Sequence, residues 1–226
     1  MSSTHRSIAI ALAVLGLSSV PASGQDIADI DYEYLSFRGV ALEFGYLWPD
    51  RVQETQSYGL RFDMGYAGTG LRVVPSLMYW TSPMIESEIV EFEGRVQDLV
   101  AQQNGGVRPE LDLGTIEYSD IALGLDVQVV WELPLDVLTF GGVGASAHVM
   151  NGDGDVINGT FVEDLLDSVE PGFNLHVGTE YPITETMRLY ASGRYEVMPD
   201  LRYLQVRAGW QFMWGPNAPG EGRGSN

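Results

Sequence analysis

Hydrophobic and polar residues alternate with a period of two along most of the chain from residue 39 onwards. Between Val40 and Trp48, the Val, Leu, Phe, Tyr and Trp side chains fall on one face, and Gly, Ala and Glu fall on the other. Successive side chains of a strand point to opposite faces, so this alternation predicts a β-strand with one apolar face. Seven further segments share the pattern: 58–66, 71–79, 121–131, 137–149, 173–181, 187–195 and 204–214. We therefore expect an all-β protein of eight strands, each of about 9–12 residues, the length that crosses a bilayer.

The residue types on the two faces predict which face points outward. The polar faces combine Gly, Ala and Ser with single charges, which suits the narrow interior of an eight-stranded barrel. The apolar faces end in aromatic residues, which form girdles at membrane interfaces. The sequence therefore favours a transmembrane barrel over a soluble barrel with reversed faces, the alternative that the same period allows. The predicted girdle comprises Tyr46, Trp48, Tyr58, Tyr66, Trp131, Tyr181 and Trp214.

The connections between the predicted strands alternate in length. Short turns at 67–70, 132–136 and 182–186 alternate with the segments 49–57, 81–114, 150–171 and 197–201, which are mostly longer. Short turns on one side and longer loops on the other are typical of outer-membrane barrels. An even strand number places both termini on the periplasmic side. Within this pattern, Pro75 interrupts a strand and indicates a bulge.

Residues 1–24 have the features of a secretory signal peptide. A positively charged N-terminal region is followed by an apolar run of about ten residues and by small residues that form a cleavage site before Gln25. Such a run is too short to cross a hydrocarbon core of ~30 Å as a helix. We expect export, an N-terminal periplasmic segment over 25–34, a barrel over 35–214 and a flexible tail over 215–226.

The last predicted strand carries a specific motif. Arg207, Gly209, Phe212 and Trp214 fit the outer-membrane assembly signal, in which a polar residue, a glycine and two hydrophobic residues have fixed spacing. Over residues 35–214 the chain resembles the small eight-stranded antiparallel barrels of the OmpA and OmpX kind. Members of that group often end at the terminal aromatic, whereas here a tail follows that is too short for a peptidoglycan-binding domain.

This resemblance implies a location and a set of partners. It implies an integral protein of the outer membrane of a diderm bacterium, inserted by the barrel-assembly machinery and surrounded by outer-membrane lipids and lipopolysaccharide. It also implies a monomer, because small barrels with filled lumens are often monomeric.

Composition excludes several classes of function. The formal net charge is −19, and all 12 basic residues are arginines. Because a chain this acidic repels phosphate backbones, we expect no nucleic-acid partner. The sequence contains no cysteine, which excludes disulfides, thiol catalysis and cysteine-ligated zinc. We expect no cofactor.

Two long loops carry candidate functional elements. Apolar residues at helical spacing predict an amphipathic helix over Glu86–Gln103. We interpret it as packed on the barrel rim, with a lid or partner-binding element as the alternative. A hairpin here, giving ten strands, is the rival prediction. In the next loop, Asp153 and Asp155 form a possible weak cation site, although Val156 occupies the position where a calcium loop needs glycine.

Charged residues recur on the faces predicted to line the lumen. Charges in a narrow, low-dielectric lumen must pair or be hydrated. We expect an ion-pair network that plugs the barrel, and a narrow porin-like channel for small solutes or ions is the alternative. The predicted network comprises Glu43, Arg61, Asp63, Arg72, Asp126, Glu180, Arg188, Arg194 and Arg207, with Glu196 on the same faces.

One group of residues suggests catalysis. Ser146 and His148 share a strand face, and His176 is predicted on the same side of the next strand. A lipid hydrolase with a Ser–His pair is a third hypothesis, and a His148/His176 metal pair is another. Residues i and i+2 on a strand lie about 6–7 Å apart, which argues against a direct hydrogen bond. We therefore expect no catalytic residues, no bound metal and no enzyme, but a structural or surface-interaction role.

Overall fold

A computed structural model describes residues 35–214. The predicted signal peptide, the segment 25–34 and the tail 215–226 lie outside the described residues. The helical elements are α1 (Glu86–Gln103), a single 3-10 turn (Pro134–Asp136) and α2 (Phe161–Leu166). The strands are β1 (Gly39–Pro49), β2 (Thr55–Asp63), β3 (Tyr66–Gly68), β4 (Leu71–Pro83), β5 (Glu117–Leu133), β6 (Val137–Asp153), β7 (Ser168–Thr184), β8 (Met187–Val197) and β9 (Arg202–Met213).

The strands close into a barrel in which every neighbour is antiparallel. The first and last strands pair with each other, and β2 and β3 both pair with β4. Because β2 and β3 are two parts of one wall strand, the barrel has eight strands, as the alternation predicts. The segment Glu86–Gln103 is a helix, so the prediction of a ten-stranded barrel is wrong.

The wall strand formed by β2 and β3 contains an irregularity that turns one residue inward. Asp63 faces the lumen, so regular alternation would place Tyr66 outside. Instead, the Met64 amide donates to the Val73 carbonyl and the Gly65 carbonyl accepts from the Val73 amide, so two residues oppose one. This is a β-bulge, and its glycine has φ +74°. Tyr66 is therefore only 6% exposed inside the barrel, and its assignment to the outer girdle is wrong. Pro75 stays in register opposite Leu125, so the irregularity lies beside β4 and not within it.

Three neighbouring strands are longer than the pattern predicts. β5, β6 and β7 each contain 17 residues, against 11 in β1 and 12 in β9. Pairs such as Glu117 with Asp153 continue the ladder beyond the apolar band. In β5 and β6 the prediction of 9–12 residues fails because the outward side chains beyond the band are polar, such as Ser119 and Asn151. In β7 it fails because Pro171 and Gly172 interrupt the pattern of residue types.

The two helices form a cap at the loop end of the barrel. Phe92 and Val96 of α1 are buried, and they pack with residues that follow α1 and with α2. We call residues 84–116 and 154–167 the loop cap. Its buried cluster consists of Phe92, Val96, Leu113, Ile116, Ile157, Val162 and Leu166. The helix has the predicted bounds and lies on the rim. Among residues 35–214, no helix is long and apolar enough to cross a membrane.

Candidate functional site

The outside of the barrel is an apolar band. Leu123, Leu175 and Val177 are each more than 60% exposed. In a water-soluble domain, few apolar residues are exposed to this extent. At the loop end of the band, Tyr46, Trp48 and Tyr58 are exposed. At the opposite end, which we call the turn end, Tyr181 and Trp214 are exposed and the Trp131 ring covers Gly141. A surface of this kind is stable in hydrocarbon and not in water, so the alternative of a soluble barrel with reversed faces is wrong.

Inward-facing side chains lie in three layers along the lumen. The loop-end layer is apolar and receives residues from most of the wall, including Leu47, Trp80, Met150, Leu201 and Tyr203. The turn-end layer is apolar on one side only, where Tyr66, Val130, Leu138 and Phe140 of β3, β5 and β6 form a buried cluster. Strands β8 and β9 contribute polar side chains such as Arg188 and Gln211 at this end. All of the predicted charged residues lie between these two layers or beside them.

Glu180 is the centre of the cluster next to the turn-end layer. This carboxylate is fully buried and accepts hydrogen bonds from Arg72 at 2.6 Å and from Arg61 at 2.9 Å. Arg188 reaches the same group at 3.3 Å, and Arg72 also lies 3.6 Å from Asp63. Both oxygens of Glu180 are therefore paired with guanidinium groups, which compensates for the loss of hydration.

Two further ion pairs lie at mid-height: one joins the neighbouring strands β9 and β1, and the other joins β8 to β5 across the lumen. Arg207 donates to Glu43 at 3.4 Å, and Arg194 contacts Asp126 at 3.4 Å. Asn174 donates to the other oxygen of Asp126 at 3.1 Å. Every residue of the predicted lumen network thus faces inward and is part of an ion pair.

Ser146 and His148 form the third group, below the loop-end layer. His148 Nε2 lies 2.9 Å from Ser146 Oγ, and His148 Nδ1 lies 2.8 Å from Asp120. The expectation that an i, i+2 pair is too far apart for a hydrogen bond is therefore wrong, because the two side chains lean together. Ser146 donates its own proton to Glu196 at 2.6 Å, and Glu196 accepts a second bond from Arg194 at 2.7 Å.

His176 does not join this group. It lies opposite Gly142, six residues along β6 from His148, so the two histidines are about 20 Å apart. His176 instead contacts Asn174 at 2.8 Å and Gln128 at 3.1 Å. The hypothesis of a histidine metal pair is therefore wrong.

The remaining predicted sites take different positions. Asp153 and Asp155 are exposed, and no group of three or more potential metal ligands occurs within residues 35–214. In the assembly motif, Arg207 and Gly209 face the lumen, whereas Phe212 and Trp214 face outward.

Asp120 and Gln128 are buried members of the lumen network that sequence reasoning missed. Asp120 accepts bonds from His148 and from Trp80 Nε1 at 3.0 Å, and Gln128 Oε1 accepts from Arg72 at 2.8 Å. Both continue the inward-facing alternate positions of β5 that include Asp126, so the period-two pattern contained the signal. Asp120 lies outside the predicted strand, and Gln128 has no formal charge.

Comparisons with known proteins support the fold. Neither a family model nor a curated protein sequence matches the chain. Neisserial surface protein A is similar in structure, with 14% identity, a TM-score of 0.53 and coverage of 80% of this chain and 100% of that one. Ail of Yersinia pestis has 9% identity and a TM-score of 0.43, and the match covers 80% of this chain and 100% of that one. A major outer membrane protein of Thermus thermophilus has 13% identity and a TM-score of 0.43, and the match covers 78% of this chain and 99% of that one.

The likeness to the Neisserial barrel shows that this chain has the fold of the small eight-stranded outer-membrane barrels, which confirms the predicted fold. Because the outside of the barrel is an apolar band and every wall strand is paired, the protein lies in a bacterial outer membrane.

Proposed function

We propose that this protein is a closed, non-conducting barrel that holds the loop cap at the outer surface for envelope integrity or surface interaction. One observation supports this above all: a network of ion pairs occupies the lumen between the apolar layer at the loop end and the apolar cluster at the turn end. Any water or ion path would have to displace residues such as Trp80 and Tyr203 at one end and Phe140 at the other. It would also have to separate the arginines from Glu180.

The loop cap is the surface that this barrel would present. Residues 84–116 contain seven acidic and two basic residues, and residues 154–167 contain four acidic and none basic. The cap has its own buried cluster, so it keeps a defined shape outside the membrane. We therefore assign interaction with surface partners to the cap and anchoring to the barrel.

The geometry at Ser146 argues against the lipid hydrolase. A catalytic serine gives its proton to a histidine that acts as the base. Here the serine proton goes to Glu196, so Ser146 Oγ accepts from His148 Nε2, and His148 Nδ1 donates to Asp120. The histidine thus has no free lone pair with which to take a proton. We expect the Ser146→Ala variant to leave the acylation of lipid A unchanged, as measured by mass spectrometry of extracted lipid.

Single-channel recording in planar bilayers tests the closed barrel. Purified, folded protein should insert without giving discrete conductance steps. Steps whose size or selectivity changes in Arg61→Glu or Asp126→Arg variants would contradict the proposal and establish the channel instead.

A further inference from the structure

A cavity lies at the loop end, between the apolar layer of the lumen and the two helices of the loop cap. Its volume is about 150 Å³, and its apolar walls include Val52, Phe92, Met150, Leu166 and Leu201, all of which are buried. This volume matches that of an apolar protein cavity that holds benzene. The cavity therefore has room for one small ring or a branched aliphatic group.

One side of the cavity is open to charged residues that reach solvent. The Asp200 side chain is 70% exposed and that of Arg51 is 39% exposed, and both line the cavity. A molecule can therefore approach from outside the cell without passing through the barrel lumen. This access distinguishes the cavity from the ion-pair network below it.

Glu170 supplies the feature that selects a ligand. Its Oε1 accepts a bond from Ser168 at 3.3 Å, whereas Oε2 is shielded from solvent and has no hydrogen-bonding partner within residues 35–214. A buried carboxylate oxygen without a partner is costly, so this atom favours a cationic donor placed in the cavity.

The two arginines at the cavity do not fill this position. Arg51 lies between Glu88 at 3.7 Å and Asp200 at 3.8 Å, and Arg95 pairs with Glu91 at 3.0 Å. Their charges are already compensated, so an anionic ligand would find no free guanidinium. The excess of carboxylates over guanidiniums favours a cation.

From these contacts we propose that the cavity binds a small organic cation, in which an ammonium or guanidinium group meets the Glu170 carboxylate after that side chain rotates toward the cavity, and a benzene-sized apolar body packs against Phe92 and Met150. The site is separate from the proposed role of the lumen, so the two proposals succeed or fail independently.

Titration with benzylamine tests the site, with neutral benzyl alcohol as the matched probe. The folded protein in detergent micelles is labelled at its methionine methyl groups, because Met84 and Met150 line the cavity and Met213 is buried at the turn end. Benzylamine should shift the Met84 and Met150 signals in a saturable manner and leave Met213 unchanged. Benzyl alcohol should bind at least tenfold more weakly.

Variants distinguish the effect of the Glu170 charge on binding from the effect of a negative charge elsewhere in the loop cap. Glu170→Gln should weaken benzylamine binding tenfold or more, and Leu165→Trp should block the cavity from its half-exposed edge. Asp164→Asn makes the same change of charge on an exposed residue that does not line the cavity, and it should bind like the unaltered protein. The proposal is overturned by the absence of saturation, by equal binding of both probes, by equal shifts at Met213, or by unchanged affinity in the folded Glu170→Gln variant.

Discussion

At the scale of single residues, the ion-pair network next to the turn end depends on one carboxylate that contacts three arginines. Glu180 contacts Arg61, Arg72 and Arg188, and the first two also lie over the Phe140 ring at 5.0 and 5.4 Å. Removal of one member of a buried network leaves the others without compensation. The stability lost by removing one partner is therefore larger than the net stability that the intact ion pair contributes.

Glu180→Gln should lower the free energy of unfolding by about 3–5 kcal/mol, because three guanidinium groups then share a neutral side chain. Urea unfolding in lipid vesicles, followed by tryptophan fluorescence, measures this change. The matched control is Glu185→Gln in the exposed turn after β7, which should change stability by less than about 0.5 kcal/mol. Equal effects of the two variants would show that the network does not stabilise the barrel.

Gly209 of the assembly motif also has a packing role. A Cβ added there would lie 2.7 Å from the Tyr190 ring and would clash with the Leu42 carbonyl oxygen, so no larger residue fits. Gly209→Ala should therefore destabilise the barrel by about 1–3 kcal/mol. Refolding from urea into detergent measures this effect without the assembly machinery.

Gly193→Ala is the control for that substitution, because no atom lies within 4 Å of the added Cβ. Its stability should stay close to that of the unaltered protein. If Gly209→Ala refolds equally well but fails to assemble in cells, the glycine acts in recognition alone.

At the scale of elements, the loop cap and the barrel have separate apolar cores. Val96 is 1% exposed in the cap cluster, whereas Val90 of the same helix is 60% exposed. Since the cap cluster shares only the partly buried Tyr118 with the loop-end layer, damage to α1 should remain local.

Val96→Asp should make the loop cap sensitive to proteinase K while the barrel remains protected in the membrane. The physical reason is the cost of placing an unpaired carboxylate in an apolar cluster. Val90→Asp adds the same charge to the exposed face and should keep the resistance of the unaltered protein. Loss of the barrel fragment in Val96→Asp would contradict the separation of the two cores.

At the scale of the whole molecule, closure between β1 and β9 leaves no free sheet edge in the wall. Unfolding must break a continuous ladder of backbone hydrogen bonds, which detergent alone does not achieve in the cold. The protein should therefore migrate at different apparent masses in unheated and boiled samples of the outer-membrane fraction. Recovery in the soluble periplasm without a shift would be incompatible with a membrane barrel.

The sequence by itself determined the number of wall strands, the direction of their faces and the bounds of α1. Period-two and helical periodicities depend only on backbone geometry, so Val40–Trp48 and Glu86–Gln103 could be assigned without knowledge of any contact. The same alternation placed the lumen charges on the inner face. It did not identify their partners, because Arg61 and Glu180 are far apart in the chain and meet only across the closed barrel.

Tertiary structure decided what local pattern does not contain. Tyr66 turns inward because a bulge at Met64 and Gly65 adds one residue to the strand, a change of phase that composition does not encode. Ser146 and His148 form a hydrogen bond because Asp120 and Glu196, on other strands, orient them. The cavity beside Glu170 exists only because α1 and α2 pack over the rim of the barrel. Periodicity fixes which face a residue occupies, whereas closure and packing fix what that residue meets.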